Sequence, residues 1–348
     1  MKSIKKYNIY VFISTFTRNI IDVYSVIYLY KHNFSIKNII AIYAICYFLG
    51  SFISNISIVV GNKIGYKYIL VFSSIITSIT FYVIHSISNL YIISIFLSLS
   101  MFTYHPIRHL YGIKLLKYKK KIGNTLIFMY IASLLSSYIA INDINLMYLV
   151  AISILGIIPA IFIDRNNVIQ IIKPKNITRR KLNFFFFDQF KIIFILLEPL
   201  YLYLIWNDIS YVGYLNIILT LSSIICIYIL TSKVNLNKYY KYINILFTII
   251  LVFKLNIYSK NLLLVIALLE GIGIRTNELV STINLYDYDE IGEGYIIISE
   301  RFFCIIRALV LSIIYFLPLD LKIILYILLV GIFILSFQYK KRDKLSNL

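Results

Sequence analysis

Charged side chains that interrupt long apolar runs are the first candidates for chemistry, because an ionised group at the centre of a bilayer costs about 2.5–3.5 kcal/mol on insertion scales. Arg18 and Asp22 stand four apart in such a run, with Thr15 and Asn19 extending the polar stripe. At helical spacing they share one face. Such a pair can bind a charged solute or relay a proton, or it can neutralise itself as a structural pair. Glu198 precedes Pro199 in another run. Proline lacks an N–H and loosens the helix there, so Glu198 is a candidate proton carrier, or else a partner for Arg18. Glu270 and the three-apart pair Arg275 and Glu278 lie in a third run, and Glu300, Arg301 and Arg307 in a fourth. Glu300 and Arg307, seven apart, fall on one helical face with Cys304 and could pack two parts of the chain together.

Other reactive residue types are sparse. His105 and His109 are four apart, a spacing that can place two ligands on one helix face. Only His32 and His85 remain elsewhere, and zinc wants three or four ligands, so no metal site is expected. Cys46, Cys226 and Cys304 lie singly inside apolar runs and read as small core residues. No phosphate-cradling glycine loop is present, and Gly292-Glu293-Gly294 reads as a turn. An ATP-driven pump is therefore not expected in this chain, nor is any cofactor.

The elements that carry these residues are apolar stretches of membrane-crossing length. The 348 residues are 60% hydrophobic, above the usual soluble range of about 45–50%. Twelve spans are expected. The first half carries Tyr7–Tyr30, Asn38–Val60, Ile69–Ile84, Leu90–Tyr111, Ile122–Ile139 and Met147–Ile163. The second half carries Phe187–Trp206, Tyr211–Leu230, Ile243–Phe253, Leu262–Leu285, Tyr295–Leu317 and Leu321–Phe337. This makes an all-α integral membrane protein of two six-helix bundles, residues 1–163 and 187–348, joined by a basic linker over 164–186 that contains Pro174 and Arg179-Arg180-Lys181. The net charge of +19 sits mainly between the spans, which fits basic cytoplasmic loops and not a nucleic-acid surface. With the N-terminus cytoplasmic, 25 Lys and Arg fall on the inner side against five, Lys31, Lys37, Lys254, Lys260 and Lys322, on the outer side. Both termini are then inside. Lys2, Lys5 and Lys6 precede an apolar run without a small-residue cleavage site, so the first helix is expected to be retained.

A basic, glycine-punctuated turn, Gly61-Asn62-Lys63-Ile64-Gly65-Tyr66-Lys67-Tyr68-Ile69, separates the second and third spans. A similar Lys-Tyr-Ile turn, Lys241-Tyr242-Ile243, opens the ninth. Such an echo suggests related halves. Six plus six helices with a basic middle loop resemble the major facilitator superfamily, which carries a Gly-x-x-x-Asp-Arg-x-Gly-Arg-Arg motif after its second helix. Asn62 falls on the Asp, Lys63 on the Arg, Gly65 on the second Gly and Lys67 on the last basic position. Ile58 and Tyr66 depart from the pattern. The eleventh span, Glu300-Arg301 to Arg307, is similar to an Arg-Glu…Gly-Arg pattern of some bacterial members, with the first pair reversed.

The resemblance implies that spans 1, 4, 7 and 10 line a central cavity. Four of the five charged spans are those four, the fourth carrying His105, Arg108 and His109. The pathway candidates are then Arg18, Asp22, Glu198, Glu270, Arg275 and Glu278. The gating candidates are Asn62, Lys63, Gly65, Lys67, Glu300 and Arg307, with the acidic loop Asp287, Asp289, Glu290 and Glu293 as a latch for the basic inner face. The expected function is secondary transport of a small solute by alternating access, with protons or sodium as candidate coupling ions, by a monomer among the lipids of the cell membrane. A lipid or lipid-linked sugar flippase of the same architecture is one alternative. An intramembrane transferase is the other, although the outer loops carry only Asp143, Asp208 and Asp320 as acids.

Overall fold

A computed structural model of the chain describes residues 2–115, 119–141, 150, 153–162, 179–233, 236–286 and 292–338. Among these residues all regular structure is helical. In chain order the helices are α1 (Lys2–Asn19), a π-helical turn (Ile20–Tyr24), α2 (Ser25–Lys31), α3 (Ile36–Ile64), α4 (Tyr66–Ser86), α5 (Leu90–Leu115), α6 (Lys119–Ile141) and α7 (Ile157–Ile161). They continue with α8 (Arg179–Trp206), α9 (Ile209–Lys233), α10 (Leu236–Asn256), α11 (Lys260–Tyr286), α12 (Gly292–Phe316) and α13 (Leu321–Gln338).

Helix α3 shows why these segments fold for a membrane. It exposes Phe48, Phe52, Ile56 and Val59 in a stripe at helical spacing, and buries Gly50, Ser51, Ser54, Ser57 and Gly61. Large apolar groups outside and small residues inside reverse the soluble pattern. They suit a lipid-facing helix whose inner face lets backbones approach closely. A Cβ on Gly50 would fall 2.2 Å from the Phe102 ring, and one on Gly271 would fall 2.2 Å from the Leu219 carbonyl oxygen. These glycines set the contacts of α3 with α5 and of α11 with α9. Five described helices are long and apolar enough to cross a membrane: Ile36–Ile64, Tyr66–Ser86, Leu90–Leu110, Phe186–Trp206 and Ile209–Ile227. Thr125–Ile139 and Leu321–Phe337 are shorter apolar helices. The chain is an integral, multi-pass membrane protein.

Helix ends follow local chemistry. The Ser35 hydroxyl accepts from the Asn38 N–H at 3.2 Å and caps α3. Asn89 Oδ1 accepts from the N–H groups of Tyr91 and Ile92, capping α5, and Asp208 Oδ1 accepts from the Tyr211 N–H, capping α9. The turn between α3 and α4 is a single residue, Gly65, at φ 105°, a conformation open to glycine and strained for any other residue.

Three expectations about the spans are corrected. The first span is not one α-helix: the π turn at Ile20–Tyr24 breaks it. The ninth span is not short: α10 continues past Phe253 to Asn256 and takes in Lys254. Helix α8 starts at Arg179, inside the stretch expected as linker; residues 164–178 lie outside the described residues. Of the sixth span, Met147–Ile163, only Val150 and residues 153–162 are described. Helices α3 and α12 pack along each other, as do α6 and α9, and these two pairs join the first half of the chain to the second.

Candidate functional site

Between those two pairs lies a cavity of about 380 Å³, walled by residues of both halves. Its volume falls in the range of small-molecule pockets. The walls are largely apolar and aromatic, including Tyr43, Tyr47 and Phe102 from the first half and Leu202, Leu215 and Leu219 from the second. Charge is gathered at two places on this wall.

At the first, Glu198 of α8 and Lys254 of α10 reach the cavity. The Lys254 ammonium is ion-paired with Glu198 and lies 2.5 Å from Glu270 Oε2 of α11. All three side chains are at most 8% exposed, and Glu270 stands behind Lys254, off the cavity wall. One ammonium between two carboxylates leaves the cluster with a formal charge of −1. Buried ions survive only with partners, so Lys254 is what allows both glutamates to stay inside. Lys254 is not among the residues that the sequence marks for the site, because the apolar pattern closes the ninth span at Phe253 and leaves Lys254 with the outer-loop charges. The expected pairing of Glu198 with Arg18 is replaced by this one.

At the second, Arg108 and His109 of α5 and Glu300 and Arg307 of α12 line the cavity. His109 Nε2 lies 3.6 Å from Glu300 Oε1, across the two halves. Arg307 Nε donates to Gln189 Oε1 of α8 at 2.7 Å, and its guanidinium sits 5.2 Å from the centre of the Tyr47 ring. Glu300 and Arg307 thus both reach from the second half to the first. His105 also lines the cavity. Among the described residues no group of three or more His, Cys, Asp and Glu is placed to share a metal ion.

Arg18 does not line the cavity. It is 4% exposed and donates to the Ser100 carbonyl, to Ser73 Oγ at 2.5 Å, and lies 4.2 Å from the centre of the Tyr104 ring. It ties α1 to α4 and α5. The cavity-facing residue is its neighbour Asn19, whose amide donates to Ser133 Oγ and Ser136 Oγ, both at 2.9 Å. A second amide, Asn216 of α9, which the sequence does not single out, lines the cavity and donates to Ser137 Oγ of α6 at 2.8 Å. It links the halves. An uncharged amide in this Asn-rich sequence carries no mark of its own, and Asn19 stands out only by its place beside Arg18. The side chains of Asp22, Arg275, Glu278 and Glu293 lie outside the described residues, as do Asp287, Asp289 and Glu290 entirely.

At the basic turn, the Tyr66 hydroxyl donates to Asn62 Oδ1 at 2.6 Å. Tyr66 is buried, and a Cβ on Gly61 would meet its ring at 2.6 Å. Asn62 therefore organises the turn itself. Lys63 is exposed, and the Lys67 ammonium lies 5.2 Å from the centre of the Tyr68 ring.

No family model matches the sequence, and no curated protein matches it. Solved structures do match the fold. The nucleoside transporter NupG is similar at a TM-score of 0.68 and 14% identity, covering 97% of this chain and 98% of that one. The human organic anion transporter MFSD10 (TETRAN) is similar at 0.66 and 9% identity, covering 97% and 99%. A bacterial homologue of the iron transporter ferroportin, in an outward-facing state, is similar at 0.62 and 13% identity, covering 97% and 98%. The chain thus shares the fold of these solved structures over nearly its whole length.

Proposed function

We propose that this protein is a secondary transporter that moves a small solute across a membrane by alternating access. The observation that carries the reading is the cavity at the junction of the halves, with charged side chains from both on its wall. A buried charge cluster has to be held by partners, and placing two of them at a cavity is explicable if they handle a solute or ion. In this reading the chain forms twelve spans in two bundles, 1–163 and 187–348. Both termini are cytoplasmic, and the protein works as a monomer in the cell membrane. The likeness of fold to transporters of different cargo supports transport and leaves the cargo open. Neither a flippase nor a transferase is favoured by a particular observation.

The same reading gives Lys254 a mechanical part. A proton or sodium ion arriving at Glu198 competes with the ammonium, which then rests on Glu270 alone. Glu198 is freed, and α8 and α10 can move apart. An ion shifts the two states only by its difference in affinity for them, and a carboxylate paired in one state and open in the other supplies such a difference. Proteoliposome uptake of a solute panel, with and without proton and sodium gradients, tests this. Accumulation driven by one gradient in the unaltered chain, lost in Glu198→Gln while solute exchange persists, is expected. Glu198→Gln that still accumulates solute against its gradient contradicts the coupling role.

A further inference from the structure

Among the described residues two carboxylates line the cavity, Glu198 and Glu300, and each faces a basic side chain. Glu198 is ion-paired with Lys254, and Glu300 Oε1 lies 3.6 Å from His109 Nε2. Arg307, on the same wall and only partly buried, is held by neutral groups instead. Its Nε donates to Gln189 Oε1 at 2.7 Å, and its guanidinium sits 5.2 Å from the centre of the Tyr47 ring. Among the described residues no carboxylate comes within ion-pairing distance of it, and neither of its Nη nitrogens has a hydrogen-bond partner. Glu300 shares its helix but stands two turns away, about 10 Å along the axis.

From this arrangement we infer that Arg307 receives an anionic group of the solute, a carboxylate or phosphate carried on an apolar or aromatic body. The inference rests on the cavity being the solute site. A cation taken out of bulk water needs a counter-charge, and the wall supplies none to Arg307 at contact distance. A guanidinium donates in its own plane, and its fork matches two oxygens of a carboxylate or phosphate. Tyr47 of the first half and Gln189 of the second hold the group before any solute arrives, which lowers the cost of ordering it on binding. The remaining wall suits an apolar body, with Tyr43, Phe102, Leu202, Leu215 and Leu219 around it. A cationic head group at this point would meet a like charge.

A set of ligands built on one ring tests it on the purified full chain. Ligands that bind the folded state raise the melting midpoint. Benzoate or phenyl phosphate is expected to raise it more than benzylamine or benzyl alcohol, and more than acetate or inorganic phosphate; which of the first two is stronger tells carboxylate from phosphate. Arg307→Gln is expected to weaken the apparent affinity for that anion about tenfold or more, the loss of a charge-assisted contact. Arg307→Lys keeps the charge without the fork, is expected to weaken it less, and carries the test if Arg307→Gln does not fold. Glu300→Gln removes a neighbouring acid and is expected to hold or raise the affinity. Protection by benzylamine or benzyl alcohol equal to that by the anions overturns the inference. So does an unmoved midpoint throughout the set, protection by acetate or inorganic phosphate as strong as by the ring anions, an affinity unchanged in every Arg307 variant that folds, or a loss in Glu300→Gln as large as in the Arg307 variants. Binding is read here without transport: anion binding with no uptake would overturn the transport reading alone, and uptake of a cationic or neutral solute without anion binding would overturn only this one.

Discussion

Lys254→Met should be the most damaging single change in the charge cluster, and Glu198→Gln one of the mildest. The lysine is 3% exposed and contacts both glutamates. Replacing it with an apolar group of similar length takes the cluster from −1 to −2, with two carboxylates side by side and no cation between them. Removing one partner of a buried ion pair typically costs about 3–5 kcal/mol. Glu198→Gln moves the cluster the other way, from −1 to neutral, and leaves Lys254 on Glu270 as a one-to-one pair. Its cost is one charge-assisted hydrogen bond, about 1.5–3 kcal/mol, offset by relief of the repulsion between the carboxylates. The triple variant Lys254→Met, Glu198→Gln, Glu270→Gln removes all formal charge. It should recover much of the loss, since buried ion pairs exchanged for uncharged groups are often nearly neutral in stability. Melting in detergent, followed by the Trp206 fluorescence, ranks the variants. If Glu198→Gln lowers the midpoint as far as Lys254→Met, or if the triple variant falls below every single one, the two-to-one arrangement is wrong.

Arg18→Ala should destabilise the first half of the chain by about 2–4 kcal/mol, since it leaves the buried Ser100 carbonyl and Ser73 hydroxyl without their cationic donor. It should leave the affinity for solute unchanged in protein that still folds, and a solute-binding isotherm beside a melting curve separates the two effects. Gly65→Ala should cost about 1–3 kcal/mol through backbone strain at φ 105°, read as a lower melting midpoint.

The membrane class, the helical content and the basic turn were legible because each rests on local signals. Apolar runs have a length, Gly65 stands between two of them, and the α3 stripe has a period. The site was legible only in part, because a charge at the edge of a run is ambiguous. Lys254 follows the last apolar residue of a run and reads as the start of a loop. Only the neighbouring glutamates of α8 and α11, far away in sequence, make it worth burying. The same ambiguity led Glu198 to be matched with Arg18, the cation most deeply set in an apolar run. Serines on α4 and α5 satisfy that arginine instead, and serine contacts leave no charge pattern to read. The π turn at Ile20–Tyr24 had no signal of its own in composition.

In alternating access the cavity opens to each side of the membrane in turn. Cys46, Cys226 and Cys304 are buried and can be exchanged for alanine, and a single cysteine then placed at the cavity-lining Leu215. Oriented proteoliposomes, treated with a membrane-impermeant maleimide from one side or the other, report which face the cavity sees. Alternating access predicts labelling from both sides, with the balance shifted by solute or by the coupling ion. Labelling from one side alone, whatever solute or gradient is present, would contradict it.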